Sequence, residues 1–248
     1  MSKEPVSFAN QRVYTLKDAP YLSVLASYTE GLRNDFLNAH PDYHDKNKLI
    51  EGLELSRPPT DGAAEKASYV VSAPEAWNSS WVKYQTAQDA QEYFNDNNLE
   101  KYPTAKRLVK DFLGKDCGIA LYSVIEPFSF IGRHTDPENR ENKFVRVHIP
   151  LVLTKGDVFI EIDGEEAHYS SIFAFNNQYV HSAHNYTNER RLVFLLDVRR
   201  EILRLPPADP YIIDLENNAE PFKRNGVIWN PKAEVERLKS LQKQLNPA

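Results

Sequence analysis

The chain has 248 residues, 41% hydrophobic and 26% charged, which is ordinary globular composition, and all-β barrels of this length often form one domain. Its formal charge is -5, with lysine and arginine scattered and no basic run, so the footprint of a protein that grips phosphate backbones is missing and nucleic acid is not an expected partner. No apolar stretch approaches about eighteen residues, the N-terminus has no apolar signal region, and the single cysteine, Cys117, cannot form an internal disulfide. These features predict a cytoplasmic protein without membrane contact.

Residues 1–117 read as mainly helical. Asp18 is a plausible N-cap with Pro20 in the first turn, and Tyr21, Leu25, Tyr28, Leu32 and Phe36 follow at helical spacing. A loop rich in Pro, Gly and Ala covers 56–69, and helical patterns return between Pro74 and Gly114, interrupted near Pro103. From Gly118 the period changes. "GIALYSVI", "KFVRVHIPLVL", "DVFIEID", "SSIFAF" and "RRLVFLLDV" are short, β-branched and aromatic, and separated by turn signals such as Asp163-Gly164. Residues 118–198 therefore predict an antiparallel sandwich or barrel core. Residues 199–248 form the tail, whose proline-punctuated stretch 199–230 is expected to pack across or beside the barrel mouth. It ends in a helix that starts at Asn230-Pro231 and turns Val235, Leu238, Leu241 and Leu245 to one side. The fold class is α+β: a β core with flanking helices in a single domain, 1–248.

The chemistry gathers in the core. In "FVRVHIPLVL", Val145, Val147, Ile149 and Leu151 form one apolar face, while Arg146 and His148 point the other way. Just upstream, His134 and Asp136 are two residues apart and can reach one ion together. Two histidines with one carboxylate make the facial set of non-haem iron sites. The pattern is short, and His40-Pro41-Asp42 matches it as well; that copy ends a helical pattern around a proline, and turn chemistry accounts for it. His181 is a candidate second histidine. Ten residues later Arg191 opens an apolar strand, sharing a face with Val193, Leu195 and Asp197. A guanidinium held on a rigid strand suits bidentate capture of a carboxylate, although Arg191 could equally pair with Glu189 or Asp197 at a surface. His148 could likewise be a satisfied core histidine.

"LYSVI", "HTD", "VRVHIPLVL", "FAFNNQYVHSAHN" and "RRLVFLLDV", spanning 121–199, resemble the catalytic core of the aspartyl/asparaginyl β-hydroxylase family, which includes bacterial hydroxylases of free proline. The resemblance implies a double-stranded β-helix, a cupin-like jelly roll. It also implies an Fe(II)- and 2-oxoglutarate-dependent dioxygenase that uses O2 and releases succinate and CO2. Carried over by motif, His134, Asp136 and His181 would bind iron, Arg191 would pair with the distal carboxylate of 2-oxoglutarate, and Ser123, Arg146 and His148 would also contact it. Some animal members have glycine where Asp136 stands; here the set is complete, as in the amino-acid hydroxylases. The expected substrate is therefore a small molecule, an amino acid or a derivative of one, hydroxylated at an unactivated C–H.

The runner-up substrate is an aspartyl or asparaginyl residue of a peptide. A non-catalytic cupin-like protein binding metal or a small acid would not need Arg191, and a zinc hydrolase would have no task for Arg146, His148 and Arg191 together. A relative that repairs alkylated nucleic acid would want a basic groove. His184, three residues after His181, faces away and has no assigned role, and His168 lies beside a turn. Oligomeric state is left open.

Overall fold

The computed structural model describes residues 11–55, 76–85, 92–136, 143–152, 154–206 and 221–245. Two antiparallel sheets face each other. The larger is built from β1 (Val13–Tyr14), β2 (Glu54–Leu55), β3 (Trp77–Gln85), β4 (Glu92–Phe94), β5 (Cys117–Ile125), β7 (Phe144–Val152), β10 (Phe173–Phe175) and β12 (Arg191–Arg199). The smaller holds β6 (Ser129–His134), β8 (Val158–Ile162), β9 (Glu165–His168) and β11 (His181–Asn185). From β5 onward consecutive strands alternate between the sheets, except that β8 and β9 stay together in the smaller one, giving the orders β10-β7-β12-β5 and β6-β11-β8-β9. That winding is a double-stranded β-helix, the expected jelly roll.

Period-2 alternation gives the three central strands two different faces. Ala120, Tyr122 and Val124 of β5, Val145, Val147 and Ile149 of β7, and Leu192, Phe194 and Leu196 of β12 are fully buried in one apolar cluster. Helices cover that face: α1 (Leu22–Ala26), α2 (Thr29–Ala39), α3 (Asp96–Lys101) and α4 (Pro103–Lys106), the last continuing as a π-helical stretch over Arg107–Leu113. Tyr122 anchors the contact, its ring 5.1 Å from Phe36, 4.6 Å from Tyr102 and 4.8 Å from Phe194. The other face of the same strands looks between the sheets and carries Ser123, Arg146, His148, Arg191 and Asp197, all buried.

Three expectations change. The stretch 74–114 is not helical throughout, because Trp77–Gln85 is a nine-residue strand pairing with β5 through Trp77↔Ile125, Ser79↔Ser123 and Trp81↔Leu121. "WNSSWVKYQ" alternates as a strand does, and the sheet edge beside β5 overrides the weaker helical pattern. The first helix begins at Leu22 rather than after Asp18, whose carboxylate instead closes a turn by accepting from Thr15 N (2.9 Å) and Oγ1 (2.8 Å). Finally, the tail residues 221–230 do not cross the barrel mouth. They form a hairpin, β13 (Lys223–Arg224) with β14 (Val227–Ile228), on the outer side of the smaller sheet. Phe222 and Trp229 there meet Phe130, Phe159 and His184. The rest of the tail, 207–220, lies outside the described residues. The closing helix α5 (Pro231–Leu245) starts where expected, its first N–H groups at 232 and 233 capped by Asn230 Oδ1 at 3.0 and 3.1 Å. No helix among the described residues is long and apolar enough to cross a membrane.

Candidate active site

His134 closes β6 and His181 opens β11, and the two are direct cross-strand partners. Their rings lie 4.3 Å apart between centroids, on the face turned toward the larger sheet. Each ring is fixed by its own strand: Nδ1 of His134 bonds the Gly132 carbonyl at 2.7 Å, and Nδ1 of His181 bonds the Tyr179 carbonyl at 2.8 Å. A carbonyl accepts only, so each ring donates from Nδ1 and turns Nε2 inward, the nitrogen a metal would take. Asp136 follows β6 and brings its Oδ2 within 3.2 Å of His181 Nε2. One ligand atom from each of the three residues lies within 4.8 Å of the others. Burial and the nearby His181 push the His134 pKa down to about 3, so this ring is neutral at pH 7. Burial works against the Asp136 carboxylate, but the Arg146 guanidinium and then His181 outweigh it and hold its pKa below the usual range. Two imidazoles and one carboxylate suit a divalent first-row metal.

A second group sits between the same sheets. Arg191, 2% exposed, donates through Nη2 to Ser123 Oγ and through Nη1 to Tyr169 OH, both at 2.7 Å. Trp77 Nε1 donates to the same Ser123 oxygen at 3.0 Å. Having accepted from Arg191, Tyr169 OH turns to His148 Nδ1 at 3.2 Å, with the rings stacked at 9°. His148 is held far below its ordinary pKa by burial and then by the Arg191 and Arg146 charges, so it is neutral. With Nδ1 accepting from Tyr169, its proton sits on Nε2, and Nε2 has no partner among the described residues; Arg191 Nε has none either. A buried cation that meets no carboxylate among the described residues, with two donors unused, is costly unless an anion completes it.

Arg146 and Ser123 part company here. Ser123 lies with Arg191. Arg146 instead forms a bidentate pair with Asp197, Nε to Oδ1 at 2.8 Å and Nη2 to Oδ2 at 3.0 Å, and its Nη1 bonds Asp136 Oδ2. Tyr169, Trp77 and Asn177 are not singled out by the sequence, and Asp197, a possible partner of Arg191 on sequence, pairs with Arg146 instead. Tyr169 was hidden beside the turn at His168, and Asn177, which donates to Asp136 at 3.3 Å, is visible only as part of "FNNQYVH".

The remaining histidines take no part. His40 is buried between the Glu51 carbonyl (3.0 Å) and Tyr102 OH (2.8 Å), a structural role for the second His-x-Asp. His184 stacks on Phe159 with centroids 4.6 Å apart, on the outer side of the sheet. His168 is exposed.

Fold and site together define a jelly-roll oxidoreductase of the hydroxylase type. The aspartyl/asparaginyl β-hydroxylase family model matches residues 48–201, and the chain belongs to that family. No curated protein matches the sequence. Among solved structures it is similar to a 2OG-Fe(II) oxygenase family oxidoreductase from Burkholderia pseudomallei, at 15% identity and TM-score 0.41, over 50% of this chain and 68% of that one. It is also similar to a prolyl hydroxylase from Trichoplax adhaerens solved with a hypoxia-inducible-factor peptide, at 11% identity and TM-score 0.40, over 72% and 80%. A viral collagen prolyl hydroxylase from Paramecium bursaria Chlorella virus-1 gives 8% and 0.32, over 50% and 78%.

Proposed function

We propose that this protein is an Fe(II)- and 2-oxoglutarate-dependent hydroxylase of an amino acid or a small amino-acid derivative, acting at an unactivated C–H bond. The observation that carries the reading is the buried Arg191, free of any carboxylate among the described residues, between the same two sheets as His134, Asp136 and His181. A cation without an internal counter-charge beside a site for a divalent metal fits a dianionic cosubstrate. When bound, iron with 2-oxoglutarate and O2 supplies the oxidising chemistry, releasing succinate and CO2.

The protein's own part is positioning and charge. His134, Asp136 and His181 would hold the metal. Arg191 and Ser123 grip the distal carboxylate, with Tyr169 steadying the guanidinium and the His148 ring at once. His148 offers its Nε2–H as a neutral donor, adding no charge that would bind product too tightly. Trp77, on the neighbouring strand β3, donates to Ser123 and covers it on that side.

The choice of an amino acid rests on the complete ligand set, which resembles that of the amino-acid hydroxylases, and on the net charge of -5, which disfavours polyanionic partners while leaving room for a small zwitterion. The test is succinate release with Fe(II), 2-oxoglutarate and the common amino acids, and separately with Asp- and Asn-containing peptides, products being read by mass. A gain of one oxygen on a free amino acid is expected. Turnover on peptides alone would reverse the choice of substrate, and absence of 2-oxoglutarate consumption under every condition would remove the oxygenase reading.

A further inference from the structure

The helix-covered side of the larger sheet is not filled throughout. Where α2 packs on the last residues of β7, a cavity of about 560 Å³ opens between Leu37 of α2, Ala26 of α1, Leu151 of β7 and Ile172 just before β10. Interiors hold few voids larger than a water molecule, and about 300–1,000 Å³ is the usual size of a small-molecule site. One cation belongs to this space. Thr29, Arg33 and Leu37 lie four residues apart along α2 and share one stripe of the helix, so Arg33 stands beside the apolar wall. Arg33 is half-buried and has no ion pair among the described residues, and no aspartate or glutamate lines the cavity. Arg12 and Arg224 are also half-buried, and each of them meets carboxylates. The remaining polar lining is the exposed ring of His44 and the hydroxyls of Thr29, Ser170 and Ser171.

We propose that this cavity is a second small-molecule site, and that it takes an amphipathic monocarboxylate, with an aliphatic body against Leu37, Leu151 and Ile172 and the carboxylate on Arg33. The class of ligand follows from the lining. Burying hydrocarbon against the apolar wall supplies affinity, and a carboxylate gives the guanidinium the partner that the protein withholds. An amine would face Arg33 with like charge, and an alcohol would leave that charge unbalanced. The sheet keeps this site apart from the candidate metal ligands. Leu151 belongs to the outer apolar cluster, whereas Arg146 and His148 of the same strand point between the sheets. Arg191, also without a carboxylate among the described residues, lies on that inner side and could attract the same probe, so it is tested separately.

The test is calorimetric titration of the whole chain with octanoate, and with octanol as its uncharged counterpart. Octanoate should bind once per chain, and octanol about tenfold more weakly. Arg33→Gln should raise the octanoate dissociation constant about tenfold, the low end for a charge-assisted bond because the side chain is only half-buried. Octanol binding and the melting temperature should stay as in the wild type. Ser171→Trp, which fills the cavity from an exposed position, should abolish binding of both ligands; if that variant does not fold, Thr29→Trp takes its place with the same expectation. Arg191→Met should bind octanoate like the wild type. Several weak sites per chain, or equal affinity in Arg33→Gln and the wild type, would overturn the proposal, since the ligand would then be spread over apolar surface. Octanol binding as tightly as octanoate would overturn the assignment of a carboxylate. Loss in Arg191→Met with none in Arg33→Gln would overturn the site itself and move the carboxylate between the sheets. Absence of binding to the wild type at two temperatures would do the same and make the cavity a feature of packing only.

Discussion

Arg190 and Arg191 are neighbours in sequence, both buried, and replacing each with methionine should have opposite consequences. Arg190 Nε bonds Glu126 Oε2 at 2.8 Å, and its other nitrogens take the carbonyls of Tyr43 (2.7 Å), Asp45 (3.1 Å) and Lys48. Arg190→Met removes the ion pair with Glu126 and the guanidinium those carbonyls share, and breaking a buried pair costs about 3–5 kcal/mol of stability. Among the described residues Arg191 bonds two neutral partners, Ser123 Oγ and Tyr169 OH. Arg191→Met therefore removes a buried charge that no carboxylate of the described residues balances, and stability should hold or rise. The loss should fall on the cosubstrate instead. Hydrogen bonds to charged groups contribute about 1.5–3 kcal/mol, and about 1.4 kcal/mol is tenfold, so the apparent KM for 2-oxoglutarate should rise about ten- to a hundredfold. Thermal melts and succinate release against 2-oxoglutarate concentration read both quantities on the same samples. An Arg191→Met protein that melts as low as Arg190→Met with an unchanged KM would refute the reasoning, since Arg191 would then be one more structural cation.

His181→Ala should abolish the weak visible charge-transfer band expected on anaerobic addition of Fe(II) and 2-oxoglutarate; a band of wild-type strength would exclude His181 as a ligand. Gly31→Ala should destabilise by about 1–3 kcal/mol, because its new Cβ would lie 2.7 Å from Thr104 Cγ2, and Thr104 is held in place by Asp35; adding Thr104→Ala should restore part of the loss in denaturant titrations. His40 supplies a pH test. Burial, and then Lys101, push its pKa down to about 4 from 6.5, so between those values the unfolded chain binds a proton that the folded chain refuses. Stability should thus rise with pH across that window and fall on acidification, and His40→Gln should flatten the slope by close to one proton; equal slopes would show that His40 is protonated in the native state.

The alternation in 117–125, 144–152 and 191–199 made the central strands legible, because each has one face of Val, Ile, Leu or Phe and another bearing groups no apolar core would choose. That contrast also exposed Arg146, His148 and Arg191. The strand at Trp77–Gln85 was not legible, since its alternation includes Asn78, Ser80 and Lys83, and Lys83 is buried only because its ammonium reaches the carbonyls of Gly114 and Cys117. Partnerships across the sheets were hidden for a different reason. Arg191 meets Tyr169, and Asp136 meets Asn177 and Arg146, through winding that brings distant segments to one level of the barrel. Spacing along the chain carries no record of that level. The resemblance supplied the identity of Arg146 as a site residue, but only the geometry assigned it to Asp136 and Asp197.

The pairing of His134 with His181 has a mechanical side. The two residues are 181 − 134 = 47 positions apart, and between them run β7, β8, β9 and β10, half of the barrel. An ion gripped by both would tie the ends of that segment together as a disulfide does. The loop-closure entropy removed from the unfolded chain by a link of this span corresponds to about 4 kcal/mol. In this barrel the reagent for oxidation would double as a removable cross-link, so chelation would take away rigidity together with reactivity. The stretch most loosened would be the one from β7 to β10, which carries Arg146, His148 and Tyr169.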